Sequence, residues 1–199
     1  MSETTTKMLH EGKFLSLKLH DNPDFKYEFT HEQRCDGHIV AVLPVHPEYG
    51  MLIRNEFTSC WGEDELHISS ITGGWEKDKH PTPIDTAIAE LREEAGIVLE
   101  SEDQLISLGT CRGAKSSDSV YHLFAADLGA GFTEVDIVGD GSHLETLAHN
   151  EWVPHGFDGD SLVGLEWFEN GADPLLHVMY LRFRFSLDDS VIASREDYE

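Results

Sequence analysis

The chain has 199 residues, 40% of them hydrophobic and 10% aromatic, which suits one domain with a buried core and argues against global disorder. Lys and Arg number 14 against 38 Asp and Glu, a formal net charge of −24. That balance excludes a nucleic-acid coating protein and a polybasic membrane anchor, both of which need a basic footprint. No apolar run approaches the roughly 18 residues that a membrane span needs, and Met1 to Gly12 lacks the apolar stretch of a secretory signal. The acidity itself reads in two ways: a heavily solvated surface, or carboxylates of which some hold a divalent metal. Cys35, Cys60 and Cys111 are odd in number and have no C-x-x-C spacing. Neither a disulfide framework nor a zinc knuckle is expected, and a reducing cytoplasm is the simplest setting. The 12 histidines are scattered and form no H-E-x-x-H or H-x-H cluster.

In chain order, Lys13 to Leu19 alternates as a short strand, with Phe25 to Phe29 its antiparallel partner across Asp21-Asn22-Pro23. Ile39 to Val45 is a continuous apolar run, bounded by Pro44 and Pro47, and reads as a buried strand. Tyr49-Gly50 makes a turn and Met51 to Phe57 the return strand. Leu66 to Ile71 is a strand running into Gly73-Gly74. The clearest helix follows: Thr82 as N-cap, Pro83 at the first helical position and Asp85 in the capping-box place. Ile84, Ala87, Ile88, Leu91 and Ala95 recur at helical spacing, and Gly96 is a left-handed stop. Leu105 to Cys111 and Val120 to Ala126 are two more strands, Gly129 to Ser142 a loop, and Thr146 to Val153 a weaker strand. Asp160 to Glu169 and Leu175 to Phe185 read as helical, with a strand as the alternative over Tyr180 to Phe185. The last dozen residues are polar and fray. Several strands around one strong helix, with helical material at the C-terminus, define an α+β or α/β/α layered domain.

Glu90, Glu93 and Glu94 share a face in the last turns of the strong helix. Like charges at three- and four-residue spacing repel, and acids near a helix C-terminus oppose the macrodipole. A divalent cation would reverse both penalties, and carboxylates are the hard-oxygen ligands that Mg²⁺ or Mn²⁺ takes. The alternative is a solvated acidic face in an acidic protein. The glycine pair before the helix lets backbone approach a metal or phosphate closely.

The stretch Gly73 to Ile97, GGWEKDKHPTPIDTAIAELREEAGI, resembles a Nudix box, GX5EX7REUXEEXGU. Glu90 falls on the first Glu of REU, Leu91 on its apolar residue, Glu93 and Glu94 on the EE pair, Gly96 and Ile97 on the closing positions, and Gly74 on the opening Gly. Three positions depart from the pattern. Ala89 stands where the box has Arg, the loop is one residue longer, and His80 and Pro81 occupy the neighbourhood of the loop acid. Arg92 is displaced by three residues, and Glu76 or Asp78 is the nearest loop carboxylate. Beyond the box, Glu11 to Leu15, Ile39 to Val45, Met51 to Arg54, Thr72 to Gly74 and Gly113 to Ala125 resemble the layout of ADP-ribose pyrophosphatases. In the usual R-Q-x-R run of that branch, Arg54 matches the first arginine and Phe57 stands in place of the second.

The resemblance implies an α+β fold of the Nudix type. This is an α/β/α sandwich with a mixed sheet, carrying an N-terminal strand extension over residues 1–35, a core over 36–155 and a C-terminal helical segment and polar tail over 156–199. It implies Mg²⁺- or Mn²⁺-dependent hydrolysis of a nucleoside diphosphate linked to another moiety, in a homodimer joined through the N-terminal strands. Glu90 and Glu94, with a backbone carbonyl near Gly73, are the implied metal ligands, with Glu93 assisting. Glu145 or Glu134 is the implied general base. Arg54 and Arg112 are candidates for phosphate, beside Gly74. Phe57 is a candidate for stacking on a base, as are Phe29, Trp61 and Trp75. Two other readings stand beside this one: a Nudix-fold nucleotide-binding or regulatory module without turnover, kept open by Ala89 and by the missing loop acid, and a purely structural acidic protein.

Overall fold

A computed structural model describes residues 4–58, 60, 65–138, 147–154 and 173–192, of which 187–192 as backbone. The expected helix at Asp160 to Glu169 and Trp61 lie outside the described residues. A three-stranded antiparallel sheet comes first, in order β1 (Thr5–Glu11), β2 (Leu15–Asn22), β3 (Phe25–Glu32). β1 has no signal in the sequence, and burial explains why: every residue of it is exposed, so it carries no core-facing alternation. The loop 113–119 ties this sheet to the rest of the molecule. Thr30 donates its amide to the Ser116 carbonyl at 2.8 Å, and Tyr27 donates its hydroxyl to the Lys115 carbonyl at 2.8 Å.

The main sheet is mixed. β4 (His38–His46) runs parallel to β10 (Val120–Asp127) over its whole length, and β10 pairs antiparallel with β9 (Leu105–Arg112). On its other side β4 meets β5 (Gly50–Phe57) only at Val45 and His46; the two strands then part. The fork is filled by β6 (Leu66–Ser69), paired to β5, and β7 (Ile71–Gly74), paired to β4 at Ile39 to Val42. The single strand expected into the glycine pair is therefore two, broken at Ser70 where the chain crosses from one neighbour to the other. The fork also corrects the reading of Pro44, which lies inside β4 rather than at its end. It falls between the β7 and β5 pairings, where a missing N–H leaves no antiparallel ladder bond unmade. β12 (His149–Val153) closes the β5 edge.

Among the described residues two helices cover the sheet. β4 is buried on both faces, which is why it reads as an unbroken apolar run. Val40, Val42, Leu52, Ile71, Phe124 and Ala126 pack with Ala87 and Leu91 of α1 (Pro83–Glu94). The alternate residues Ala41, Leu43, Ile53, Leu123 and Ala125 pack with Leu176, Met179 and Phe183 of α2 (Pro174–Ile192). The result is the expected α/β/α sandwich, and Tyr180 to Phe185 is helix. α1 begins as the sequence requires: Thr82 Oγ1 accepts from the Asp85 amide at 3.3 Å, and Asp85 Oδ2 accepts from the Thr82 amide at 2.9 Å. It ends before Gly96, whose φ of +66° only glycine adopts without strain. Past it, β8 (Ile97–Leu99) pairs with β11 (Phe132–Glu134), so the expected loop from Gly129 contains a short strand.

The start of α2 is tied to the fork by a buried aspartate. Asp173, 8% exposed, accepts from the Ser70 hydroxyl and, at 3.3 Å, from the Ser70 amide, while its other oxygen accepts from the Leu175 amide at 2.9 Å. Asp173→Ala is expected to lower the unfolding free energy by about 1–3 kcal/mol, because it deletes a helix-start acceptor and strands buried donors. The urea midpoint at unchanged slope measures this. A loss under about 0.5 kcal/mol would mean that α2 is held by its apolar face alone.

Candidate active site at the end of the first helix

The face of β5 that meets α1 presents Leu52, Arg54 and Glu56 by strand alternation, and the same face of β7 presents Ile71 and Gly73. Opposite Gly73, α1 brings down Glu90. A Cβ built on Gly73 would stand 1.6 Å from Glu90 Oε1, so the absent side chain is what seats that carboxylate on the strand. Gly73 thus serves by close approach and not by an unusual backbone conformation. One helical turn on, Glu94 Oε2 accepts from the Thr72 amide at 3.3 Å. Glu90, Glu93, Glu94, Thr72, Gly73 and Gly74 together line a cavity of about 380 Å³, closed by Arg34, Arg54, Glu76, Lys79 and His80.

The end of α1 is anchored by two cross-strand neighbours. Arg54 on β5 and Asn150 on β12 are register partners. Arg54 Nη1 donates to the Glu94 carbonyl oxygen at 3.0 Å, and Asn150 Nδ2 donates to the same oxygen at 2.8 Å. Arg54 Nε donates to Glu56 Oε2 at 3.2 Å and lies 4.0 Å from Glu94 Oε2. Arg54 is only 4% exposed. It borders the cavity, but as a buried guanidinium engaged with the protein, not as an arm extended to a phosphate.

Burial pushes the Glu94 carboxyl up to about 8 from its ordinary 4.5; Arg54 opposes the shift, the Glu90 and Glu56 charges add to it, and the Thr72 amide opposes it. The group therefore holds a proton at neutral pH. Four carboxylates border the cavity against Arg34, Arg54 and Lys79, so it remains anionic by one charge before His80 and the Glu94 proton are considered.

Of the other sequence-predicted residues, Glu93 is exposed on α1 at the cavity rim. Arg112 is outside the cavity, exposed at the end of β9, where its Nη1 donates to the Asp118 carbonyl at 2.9 Å. Phe57 is half-buried at the end of β5 opposite Leu66, also outside the cavity. Phe29 is buried at 6% exposure. Trp75 is spent on the loop, its indole donating to the His80 carbonyl at 2.9 Å and its edge meeting His38 and His122. Glu145 lies outside the described residues, and Glu134 borders a neighbouring cavity with Asn150 and Trp152. Glu76 does enter the site, but accepts from Lys79 Nζ at 2.9 Å; Asp78 does not line it. Arg34, Lys79, Glu56 and Asn150 were not found from the sequence. Their only sequence signal is for Arg34 and Lys79, cations placed a few residues from strand and helix starts that the fold brings to Gly74.

Among the described residues no group of three or more His, Cys, Asp or Glu is arranged to hold a metal ion. What is present, two carboxylates with Gly73 backbone between them, fits a hard cation that keeps several waters and takes phosphate oxygens from its substrate, as Mg²⁺ does.

No protein-family model matches this sequence, and no curated protein matches it. Among solved structures, the chain is similar to one described as an ADP compounds hydrolase, with TM-score 0.69 and 14% identity over 95% of both chains. A MutT/nudix family protein from Enterococcus faecalis matches at TM-score 0.41 and 15% identity over 60% of this chain and 45% of its own, too partial a likeness to carry weight. The first likeness spans nearly the whole chain, and the fold is that of the Nudix hydrolases, as the stretch Gly73 to Ile97 implied. Among the described residues no helix is long and apolar enough to cross a membrane.

The proton on Glu94 fixes a pH dependence. Between pH 4.5 and about 8 the folded chain keeps a proton that the unfolded chain has released. The stabilising difference is complete below 4.5 and is lost as the pH rises through about 8. Glu94→Gln cannot titrate. In chelator, its melting temperature relative to wild type is therefore expected to rise from pH 5 to pH 8.5; a constant difference would show that Glu94 titrates near its ordinary value.

Proposed function

We propose that this chain is a divalent-metal-dependent hydrolase of nucleoside diphosphates linked to another moiety, cleaving the pyrophosphate bridge as the Nudix-type fold and the box at Gly73 to Ile97 suggest. The observation that carries this reading is the convergence of Glu90 and Glu94 on the Thr72-Gly73 backbone, with Arg34 and Lys79 across the same cavity. An anionic diphosphate would enter a cavity with a surplus of carboxylates only with a cation as companion. Glu90 and Glu94, with a Gly73 carbonyl, would hold that Mg²⁺ or Mn²⁺, and Glu94 would release its proton on doing so. When bound, the ion would lower the pKa of the attacking water and neutralise charge on the leaving phosphate.

The protein supplies the rest. Arg34, with 54% of its side chain exposed and Nε 3.8 Å from Glu76 Oε1, is the arginine available to fork onto phosphate oxygens. Lys79 adds a point charge from the loop. These two take the phosphate role that the sequence suggested for Arg54 and Arg112. Glu93 at the rim assists as ligand or orienting group. Glu145 or Glu134 is the carboxylate proposed as general base. A homodimer through the N-terminal strand extension, residues 1–35, is supported by the exposed Met8, Phe14, Leu15, Phe25 and Tyr27 of that sheet. Three unpaired cysteines accord with a reducing compartment such as the cytoplasm. A second reading, nucleotide binding without turnover, is favoured by Ala89 in place of the box arginine and by His80 and Pro81 in the neighbourhood of the loop acid.

The test is a panel of ADP-ribose, NADH, diadenosine polyphosphates, nucleotide sugars and nucleoside triphosphates, with Mg²⁺ or Mn²⁺ and with chelator. Nucleoside monophosphate released only with metal is the expected outcome. No product from any member, with nucleotide binding retained in a thermal shift, would select the binding module. Glu94→Gln is expected to remove most turnover while the fold survives. Gly73→Ala is also expected to fold, because its Cβ meets the tip of a flexible side chain. It should lose divalent-ion affinity through displacement of Glu90; unchanged Mn²⁺ binding in that variant would remove Glu90 from the ligand set.

A further inference from the structure

Glu94 stands at the point where a helix dipole, two neighbouring acids and a buried environment all oppose a negative charge. Its carboxylate can be held at the cavity only if something fixes the end of α1 against the sheet. In the box pattern an arginine on the helix itself stands beside the ligating Glu. Here that position is Ala89, which has no donor. We infer that Arg54, reaching across from β5, is the positioning residue that replaces the lost box arginine. The inference rests on the hydrolase reading above and assigns Arg54 a part in that site.

Three observations support it. First, Arg54 engages Glu94 at both ends: Nη1 donates to its carbonyl at 3.0 Å, and Nε lies 4.0 Å from its carboxylate. A cation on the terminal carbonyl also opposes the dipole end that the acids aggravate. Second, the guanidinium cannot swing toward a ligand without giving up its partners. It is 4% exposed, its Nε donates to Glu56 at 3.2 Å and its Nη1 to the Glu94 carbonyl at 3.0 Å, so a swing toward a ligand would break both bonds and leave a buried guanidinium to be re-paired. Third, its strand partner Asn150 donates to the same carbonyl at 2.8 Å, so two adjacent strands are built to grip one atom of the helix end. A residue that served only the stability of β5 would need neither contact with Glu94. A residue that served phosphate would need a freely accessible guanidinium; Arg34 has 54% of its side chain exposed and Arg54 only 5%.

The experiment compares wild type, Arg54→Ala, Arg54→Lys, Ala89→Arg and the Arg54→Ala/Ala89→Arg double variant as full chains. Mn²⁺ alone is titrated by EPR, and kcat and KM are measured on the best substrate of the panel. Arg54→Ala is expected to weaken Mn²⁺ binding and kcat by about 10–100-fold, the usual cost of losing a residue that orients a metal ligand. KM should stay within about threefold, because no substrate contact is removed. Arg54→Lys should fall between, keeping charge but not the fork. Ala89→Arg alone should change kcat less than about threefold, and in the double variant it should recover at least about tenfold of the loss, the non-additivity expected when two groups perform one task. The inference is overturned if Arg54→Ala keeps Mn²⁺ affinity and raises KM, the signature of a phosphate contact. It is overturned equally if Ala89→Arg alone raises kcat about tenfold or more, since the role would then be vacant in the wild type. If circular dichroism shows Arg54→Ala unfolded, Arg54→Lys and Ala89→Arg decide by the same criteria. A wild type that neither binds Mn²⁺ nor turns over removes the hydrolase reading itself and this inference with it; a wild type that binds Mn²⁺ no better than folded Arg54→Ala removes only the inference.

Discussion

The end of α1 has to be held against the sheet despite its own electrostatics, and much of the site follows from how that is done. Three acids crowd the negative end of a helix dipole, one of them buried deeply enough to keep its proton at neutral pH. The counterweight is a set of donors on three strands: the Thr72 amide on β7, Arg54 on β5 and Asn150 on β12. Because all three converge on Glu94, the helix has one register on the sheet. That register is what lays Glu90 over Gly73. The glycine is then a steric requirement of the register, since any side chain there would occupy the volume of the carboxylate.

The fork between β4 and β5 gives this arrangement its place. If the two strands paired along their length, no strand would lie between them to meet the acids of α1. Their separation after Val45 and Met51 lets β6 and β7 fill the gap, and the crossing at Ser70 shifts the chain from one ladder to the other before the glycine pair arrives. The apolar layers on either face do not discriminate between these possibilities; they require only alternate burial. Hydrogen-bond partners specify the fork, and Pro44, which falls between the β7 and β5 pairings on that side of β4, is consistent with it.

Much of this was legible in the sequence where the signal is local. The capped helix, the continuous run of β4, the alternation of β2 and the spacing of Glu90, Glu93 and Glu94 each depend on neighbours within a few residues, and each was read correctly. β1 was not legible, because a strand exposed along its whole length has no pattern to read. The division of the strand before the glycines was not legible either, because it depends on an aspartate far along the chain. The site divides in the same way. The helix acids and Gly73 were legible in the local pattern, whereas Glu56 and Asn150 enter through strand pairing that no local pattern encodes, and Arg34 from the turn between β3 and β4. Arg54 was found, yet its surroundings were not: sequence indicates that a guanidinium is present, and only packing shows that it is buried and committed to Glu94.

The link between Ser70 and Asp173 joins residues 103 positions apart. Few of the strand's other attachments reach so far, and this one closes the crossover that sets β7 against the first helix. While the chain is being made, β4 to β7 and α1 emerge well before Asp173 does, so the strand carrying Gly73 must wait for a segment synthesised seconds later before its turn is locked. A contact of such long range forms only after chain entropy has been lost in bringing its ends together, and contacts of this kind slow folding. Assembly of the site is thus coupled to completion of the fold: an incomplete chain can own every acid of the helix and still lack the strand geometry on which they converge.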